Sequence, residues 1–276
     1  MCGVPGQAYH TDCYGKFFKS TDWISFDTYP IEQFKSSTLQ EIKTTMDLIK
    51  GTPEAYRAVD GTTLPGGLLK PILAYIEAGS FPSSCTTSSP TPAQTTYEAV
   101  EAVINGAKGI IYYPEMDQPT CGTVNYDSTT PAMDAAITRL NCTLAEPLNS
   151  GSAQACLGAD AIPGPAMQAG DATGLGVTFE GGYSQVRWGT RSDGAANYYL
   201  AENGSSSALA SHIVRFHGPT LNAETCPNLK VEIMNDVAGS SPLKYANTPL
   251  SLDQYCQTTS GVSWAGYQYH IFKIVR

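Results

Sequence analysis

Carboxylate side chains stand at the ends of three short segments that are rich in β-forming residues. Glu77 closes the apolar run Ile72–Ile76, Asp27 ends the alternating segment that begins at Trp23, and Glu115 follows a third such segment. Two neighbouring carboxylates can divide one reaction between a nucleophile and a proton donor. Enzymes built on parallel strands collect such groups at the carboxyl ends of those strands. Glu77 is therefore the residue around which a catalytic site is expected.

The sequence does not decide which second carboxylate would work with Glu77. Asp27 precedes Tyr29 by two residues, and in a parallel sheet the Tyr29 hydroxyl would lie near enough to hydrogen-bond the Glu77 carboxylate and favour its charged form. The alternatives are structural: Asp27 can bond its own backbone in a turn, and Glu77 can cap a helix or pair with Lys108. Glu115 is either a second reacting carboxylate or a solvated loop residue.

The elements that must position these carboxylates repeat in one order, strand then helix, three times between residues 20 and 150. Strands are predicted at 23–29, 72–77 and 108–113, and helices at 37–49, 91–105 and 131–148. Thr91-Pro-Ala-Gln is a strong helix start, with an N-cap residue followed by proline. Strand–helix alternation at this spacing predicts a parallel sheet.

The sequence after residue 150 has a different texture. Short β-rich segments alternate with Gly, Asn, Ser and Pro turns, and helix signals are missing. Strands are predicted at 177–179, 185–188, 197–201, 210–216, 229–233 and 267–274, a spacing typical of an antiparallel β-sandwich. The predicted domains are therefore residues 1–150 and 151–276.

Composition limits the classes of partner. The chain of 276 residues has a net charge of −9, and charged residues make up only 15% of it. Without a basic stretch to neutralise phosphates, neither nucleic acid nor an anionic membrane surface is an expected partner. The eight cysteines form no CxxC motif, so we expect disulfides and a secreted protein rather than a metal site.

Several segments resemble the last part of a (β/α)8-barrel glycoside hydrolase with its C-terminal β-sandwich. Residues 22–30 (Asp-Trp-Ile-Ser-Phe-Asp-Thr-Tyr-Pro) look like the sixth barrel strand, and residues 70–77 (Lys-Pro-Ile-Leu-Ala-Tyr-Ile-Glu) look like the seventh. Residues 105–113 (Asn-Gly-Ala-Lys-Gly-Ile-Ile-Tyr-Tyr) look like the eighth strand, and residues 139–149 like the helix that ends the barrel. Residues 198–203 and 268–274 resemble sandwich strands.

The resemblance implies a fold that is α/β plus all-β, a partial (β/α) TIM-type barrel followed by an antiparallel β-sandwich. It implies a retaining hydrolase of β-glycosidic bonds, in which Glu77 is the nucleophile and Glu115 or Asp27 the second carboxylate. Neither a metal nor an organic cofactor is implied. The expected partner is a carbohydrate, and aromatic side chains can stack on its apolar faces; the candidates are Trp23, Tyr29, Tyr75 and Tyr113.

The chain departs from this family in length, because a complete barrel has eight strands and about 250 residues. The family's acid/base follows an Asn upstream of the sixth strand, and no Asn-Glu pair precedes Trp23. Three explanations stay open: a fragment of a longer glycosidase, a site completed by self-association of the half-barrel, or a non-catalytic carbohydrate-binding protein. The predicted disulfides are Cys85–Cys121, Cys2–Cys13, Cys142–Cys156 and Cys226–Cys256.

Overall fold

The described residues form a small parallel sheet, the α-helices that accompany it and a larger antiparallel region. The computed structural model describes residues 15–31, 34, 39–79, 90–113, 131–144, 168–169, 176–179, 186–192, 196–218, 221–236 and 245–275. Glu115 and the predicted cysteine pairs Cys2–Cys13, Cys85–Cys121 and Cys142–Cys156 lie wholly or partly outside these residues.

The parallel sheet has three strands in sequence order, β1 (Ile24–Asp27), β2 (Ile72–Glu77) and β3 (Gly109–Tyr113). Both strand pairs are parallel, with Asp27 opposite Tyr75 and Glu77 opposite Tyr113. The predicted strand–helix repeat is therefore confirmed in this part of the chain. The register also places the ends of all three strands along one edge of the sheet.

Three helices accompany the parallel sheet: α1 (Glu41–Lys50), α2 (Pro92–Ile104) and α3 (Pro131–Leu144). Helix α1 forms because its apolar residues recur at helical spacing, and Ile42, Met46 and Ile49 are all buried. Helix α2 begins with a complete capping box, in which the Thr91 hydroxyl accepts from the Gln94 backbone N–H while the Gln94 side chain bonds the Thr91 backbone N–H. Every residue of α2 from 95 to 104 is buried.

The two faces of the parallel sheet differ. Ile72, Ala74 and Ile76 of the central strand are fully buried, because strand alternation turns them toward one side of the sheet. Leu73 and Tyr75, on the opposite side, are half-buried. No closed barrel is formed by the described residues, whose parallel strands are the three above.

The antiparallel region contains ten strands among the described residues. The strands are β4 (Gln168–Ala169), β5 (Gly176–Phe179), β6 (Val186–Ser192), β7 (Ala196–Asn203), β8 (Leu209–His212), β9 (Val214–His217), β10 (Lys230–Asp236), β11 (Tyr245–Leu250), β12 (Val262–Trp264) and β13 (Tyr269–Val275). A six-stranded sheet has the order β11-β10-β13-β7-β6-β4, and two further sheets pair β12 with β8 and β5 with β9.

The strand predictions for this region are confirmed in position, with two differences. Residues 210–216, predicted as one strand, form β8 and β9, because the two parts pair with different partners. Strands β4, β11 and β12 were not expected. Strand β11 contains Pro249, which a strand tolerates at the edge of a sheet, and β11 lies at such an edge.

The two regions share a hydrophobic core. Tyr198 and Leu200 of β7 and Ile271 of β13 belong to the same buried cluster as Val100 of α2 and Ile76 of β2. A second cluster lies within the antiparallel region and includes Trp264 and Phe216. Helix α2 is thus enclosed by both regions, which explains why it is apolar or buried around its whole circumference.

Within the described residues, none of the helices has the length and apolar character needed to cross a bilayer.

Candidate active site

The candidate site lies at the edge of the parallel sheet where its three strands end. Glu77 is the last residue of the central strand β2, and Tyr113 is the last residue of β3, directly opposite it. The Ala78 backbone N–H donates to the Tyr113 carbonyl at 3.0 Å, which keeps the two strands paired past Glu77. The site therefore stands on rigid backbone rather than on a loop.

The Glu77 side chain is fully buried and is held by the segment after β1. Its Oε1 accepts the backbone N–H of Ile31 at 2.6 Å. Its backbone carbonyl accepts the Thr95 hydroxyl at 2.9 Å, which ties the end of β2 to helix α2. A backbone N–H donor stabilises the charged form of a carboxyl. This hydrogen bond also gives Glu77 a structural role that the sequence did not predict, because it fastens the chain at Ile31 to the end of β2.

Tyrosine side chains surround Glu77. The rings of Tyr29 and Tyr113 are 5.7 Å apart at their centroids, within the range of a favourable aromatic pair. Burial raises the pKa of Tyr29, and the charges of Asp27, Tyr113, Glu77 and Tyr75 raise it further. Tyr29 is thus close to every one of these groups, and its hydroxyl stays protonated and able to donate a hydrogen bond.

The structure therefore brings together five of the residues that the sequence singled out: Asp27, Tyr29, Tyr75, Glu77 and Tyr113. Asp27 is exposed, whereas the three tyrosines are half-buried. Trp23, the remaining aromatic candidate, precedes β1 at the opposite end of that strand and is 63% exposed. Its place on the strand separates it from the edge where the other side chains gather. Glu115 lies outside the described residues.

A second carboxyl that sequence reasoning did not find lies against Glu77. Glu98 of α2 is fully buried, and burial raises its pKa well above the ordinary value. The charge of Glu77 and a hydrogen bond between the two side chains raise this pKa further, while the Glu77 backbone acts in the opposite direction. The sequence carried no clear signal for this, because the neighbours of Glu98 along its own helix face are polar: Gln94 and Thr95 one turn before it and Glu101 one turn after it.

Metal chemistry has no cluster to support it in the described part of the chain, where no group of three His, Cys, Asp or Glu side chains is arranged to bind an ion. The predicted disulfide Cys226–Cys256 is confirmed. It joins the short helical turn at Cys226–Asn228 to the segment that follows β11, far along the chain from the candidate site.

Comparison with known proteins gives structural neighbours only. No protein-family model matches the chain, and no curated protein sequence matches it. The structural neighbours are glycoside hydrolases. A family 30 subfamily 8 xylanase from Clostridium acetobutylicum superposes with a TM-score of 0.37 at 10% identity, over 97% of this chain. A family 5 glycoside hydrolase from Bacteroides vulgatus gives 0.44 at 12% identity over 92%.

An α-amylase from Geobacillus thermoleovorans, solved with acarbose, gives a TM-score of 0.42 at 8% identity over 97% of this chain. The chain spans 59% of the length of the xylanase, 51% of the family 5 enzyme and 47% of the amylase. TM-scores this low describe loose superpositions.

Proposed function

We propose that this chain belongs to a retaining glycoside hydrolase that cleaves β-glycosidic bonds of an oligosaccharide or polysaccharide, with Glu77 as the nucleophile. The observation that carries the proposal is the group of side chains at the carboxyl edge of the parallel sheet. There, Glu77 is held by a backbone N–H and flanked by three tyrosines, with the exposed Asp27 on the neighbouring strand.

The chemistry of that group matches the demands of the reaction. A retaining enzyme needs one carboxylate that attacks the anomeric carbon and another carboxyl group that protonates the leaving oxygen. Glu77 has a fixed orientation and a donor that favours its anionic form, as a nucleophile requires. Asp27, being exposed, or Glu115 would serve as the second group. Tyr29, Tyr75 and Tyr113 would supply hydrogen bonds and apolar ring faces to the sugar.

The experiment is a reducing-sugar release screen over β-glucans, mannans, xylans and galactans, with Glu77→Gln measured in parallel. Glu101→Gln is a matched control, because Glu101 is an equally buried glutamate on α2 that accepts a hydrogen bond from Asn105. Release by the wild type and the control, with loss in Glu77→Gln, is the expected result. Release by all three proteins would contradict the role of Glu77 and move attention to Asp27 and Glu115.

A sharper test of the nucleophile uses the covalent intermediate. Once the screen has named a sugar, the matching 2-deoxy-2-fluoro glycosyl fluoride should leave its sugar as an ester on the attacking carboxylate. The fluorine at C2 slows both steps, because both transition states resemble an oxocarbenium ion, and the good leaving group, fluoride, restores only the first step. Peptide mapping by mass spectrometry should locate the added mass on Glu77. An ester on another carboxylate would reassign the nucleophile, and no ester with an active enzyme would favour an inverting mechanism.

One observation favours a second candidate, a non-catalytic carbohydrate-binding protein. Glu77 is 0% exposed, whereas a nucleophile must reach its substrate. In that case a saccharide would bind with measurable affinity, turnover would be absent, and Glu77→Gln would leave the affinity unchanged. Isothermal titration with the saccharides of the same screen separates the two functions.

A further inference from the structure

The Glu98 carboxyl group has an unusual environment for a charged side chain. It is fully buried in α2, and neither of its oxygens lies in normal hydrogen-bond geometry with an N–H or hydroxyl donor among the described residues. An ionised carboxylate in such a place would lose its hydration without compensation, which costs several kcal/mol or more. A carboxylic acid, by contrast, is neutral and carries one donor of its own. The surroundings of Glu98 therefore select the protonated form.

The neighbouring carboxyl has the opposite environment. Glu77 Oε1 accepts the Ile31 backbone N–H at 2.6 Å, and such a donor favours the anion. Two adjacent buried carboxyl groups cannot both be charged without strong repulsion, and they commonly share one proton. Glu77 has the Ile31 donor, whereas the burial of Glu98 outweighs the opposite effect of the Glu77 backbone on it. The shared proton therefore belongs on Glu98, with its O–H directed at the Glu77 carboxylate.

The other titratable groups around Glu98 reinforce this assignment. Glu41, at the start of α1, raises the pKa of Glu98, as Glu77 on β2 also does. Tyr267, which precedes β13, faces the pair from the antiparallel region, and its own pKa is raised by burial first and by the Glu98 charge among other causes. The charges of Glu41 and Glu77 thus oppose a negative charge on Glu98, while the raised pKa of Tyr267 keeps its phenol neutral, so that it adds no charge beside the pair.

We propose that Glu98 is a positioning residue, a buried carboxylic acid that donates its proton in a hydrogen bond to Glu77 and fixes that carboxylate against the Ile31 N–H. The link to catalysis rests on the proposed function, in which Glu77 attacks the sugar. The proton itself is a property of the folded chain and can be observed without any substrate. Glu98 is enclosed on α2, so it acts through Glu77 rather than on a sugar.

Infrared spectroscopy tests the proton directly. Difference spectra at neutral pH between the wild type and Glu98→Gln should show the carbonyl stretch of a protonated carboxylic acid, present in the wild type and lost in the variant. Glu101→Gln, the buried control one turn along α2, should retain that band. Glu77→Gln should show the same band at low pH. On raising the pH, the band should disappear earlier than in the wild type, because the Glu77 charge that keeps the proton on Glu98 has been removed.

The pH dependence of stability provides a second readout. Because the pKa of Glu98 is raised in the folded state, the folded chain keeps a proton that the unfolded chain releases. The free energy of unfolding therefore falls as the pH rises from the ordinary carboxyl range to the raised pKa of Glu98. Glu98→Gln, whose amide is neutral and can still donate to Glu77, should remove that part of the slope. Glu101→Gln should keep it.

The pH dependence of activity provides a third readout, which would not change if Glu98 had only a structural role. The wild type should lose kcat/KM at alkaline pH, where Glu98 ionises and repels Glu77, and Glu98→Gln should retain activity to higher pH. The proposal is overturned if Glu98→Gln leaves the infrared band and the stability slope of the wild type unchanged. If both change while no saccharide is hydrolysed by any variant, Glu98 holds the proton and it is the proposed glycosidase function that fails.

Discussion

Tyr29 is the residue whose side chain reports most directly on the charge of Glu77. Its phenol is close enough to Asp27, Tyr75, Glu77 and Tyr113 for each of them to raise its pKa, after the larger effect of burial. A phenol whose pKa is raised does not ionise in the working range of the protein. The Tyr29 hydroxyl therefore remains a hydrogen-bond donor beside the Glu77 carboxylate, which must be an anion in the proposed mechanism.

We therefore expect Tyr29→Phe to lower kcat by about 10–100-fold, the loss that corresponds to one hydrogen bond to a charged group. The measurement is steady-state kinetics on the substrate that the release screen identifies. Tyr56→Phe is the control, because the Tyr56 hydroxyl donates to the carbonyl of Lys50, the last residue of α1. A kcat for Tyr29→Phe equal to that of the control would show that the phenol does not act on Glu77.

Single residues also show how far the sequence can predict this site. Glu77, Tyr29 and Tyr113 were found because position at the end of a strand is visible in the sequence. Glu98 was not, because its role depends on two separate surfaces that enclose α2, the parallel sheet and the antiparallel region. Two glutamates three residues apart, Glu98 and Glu101, suggest that one face of α2 is exposed to solvent. That face is buried only because strands distant in sequence pack over it.

Helix α2 is the element on which the site depends most. It carries Glu98, it binds the Glu77 carbonyl through Thr95, and its Gln94 side chain serves both the capping box and a hydrogen bond to Tyr267. The start of α2 therefore positions the helix against both neighbours. The sequence predicted this start correctly, since a capping box followed by proline is a local signal that needs no tertiary context.

Thr91→Ala should lower the free energy of unfolding by about 0.5–2 kcal/mol, the usual effect of removing an N-cap side chain. Chemical denaturation followed by circular dichroism measures the difference. Thr91→Ser keeps the capping hydroxyl and should remain close to the wild type. Equal losses in both variants would mean that the threonine methyl group, rather than the cap, is what stabilises the start of α2.

The strands of the antiparallel region were less predictable than α2. Local propensity identifies a β-rich segment but not its partner, so the break between β8 and β9 at residue 213 could not be foreseen. Strand β11 was missed for a related reason. Its sequence, Tyr-Ala-Asn-Thr-Pro-Leu, contains poor strand formers, and it is extended because β10 pairs with it along its whole length.

The whole molecule is held together by contacts between its two regions. The rings of Tyr97 on α2 and Tyr267 are 5.6 Å apart, and both side chains are buried with Ile31 and Leu39 in a small cluster. Tyr267 has the left-handed φ of 58°, which is uncommon for a residue with a side chain. Gly266, just before it, makes the close approach to the Ser206 backbone that places Tyr267 here.

Gly266→Ala should destabilise the protein by at least about 1–3 kcal/mol, because a Cβ atom there would overlap the Ser206 carbonyl oxygen, and backbone cannot move aside cheaply. Thermal or chemical unfolding provides the comparison. Gly51→Ala is the control, since its Cβ would come no nearer than 3.3 Å to the Asp47 carbonyl. If Gly266→Ala matched the control in stability, the segments at Gly266 and Ser206 would be able to move apart at little cost.

The Cys226–Cys256 disulfide acts on a larger loop, with a sequence separation of 30 residues. Closing a loop of that length stabilises the folded state by about 3–4 kcal/mol through the entropy of the unfolded chain. The double variant Cys226→Ser, Cys256→Ser should therefore unfold at a lower denaturant concentration, by an amount in this range. A stability equal to the wild type would show that the packing around β9, rather than the covalent link, holds this segment.

The order of strands in the large sheet determines when that sheet can be completed during synthesis on the ribosome. Strand β13 lies between β10 and β7, although it is the last of the described strands to be translated. Until residues 269–275 emerge from the exit tunnel, the nascent chain presents two separate partial sheets, each with an unpaired edge where β13 will insert. Exposed edges of this kind invite pairing with other chains. The interval before β13 arrives is thus when a nascent copy most needs a chaperone, and when a stalled ribosome would be most harmful.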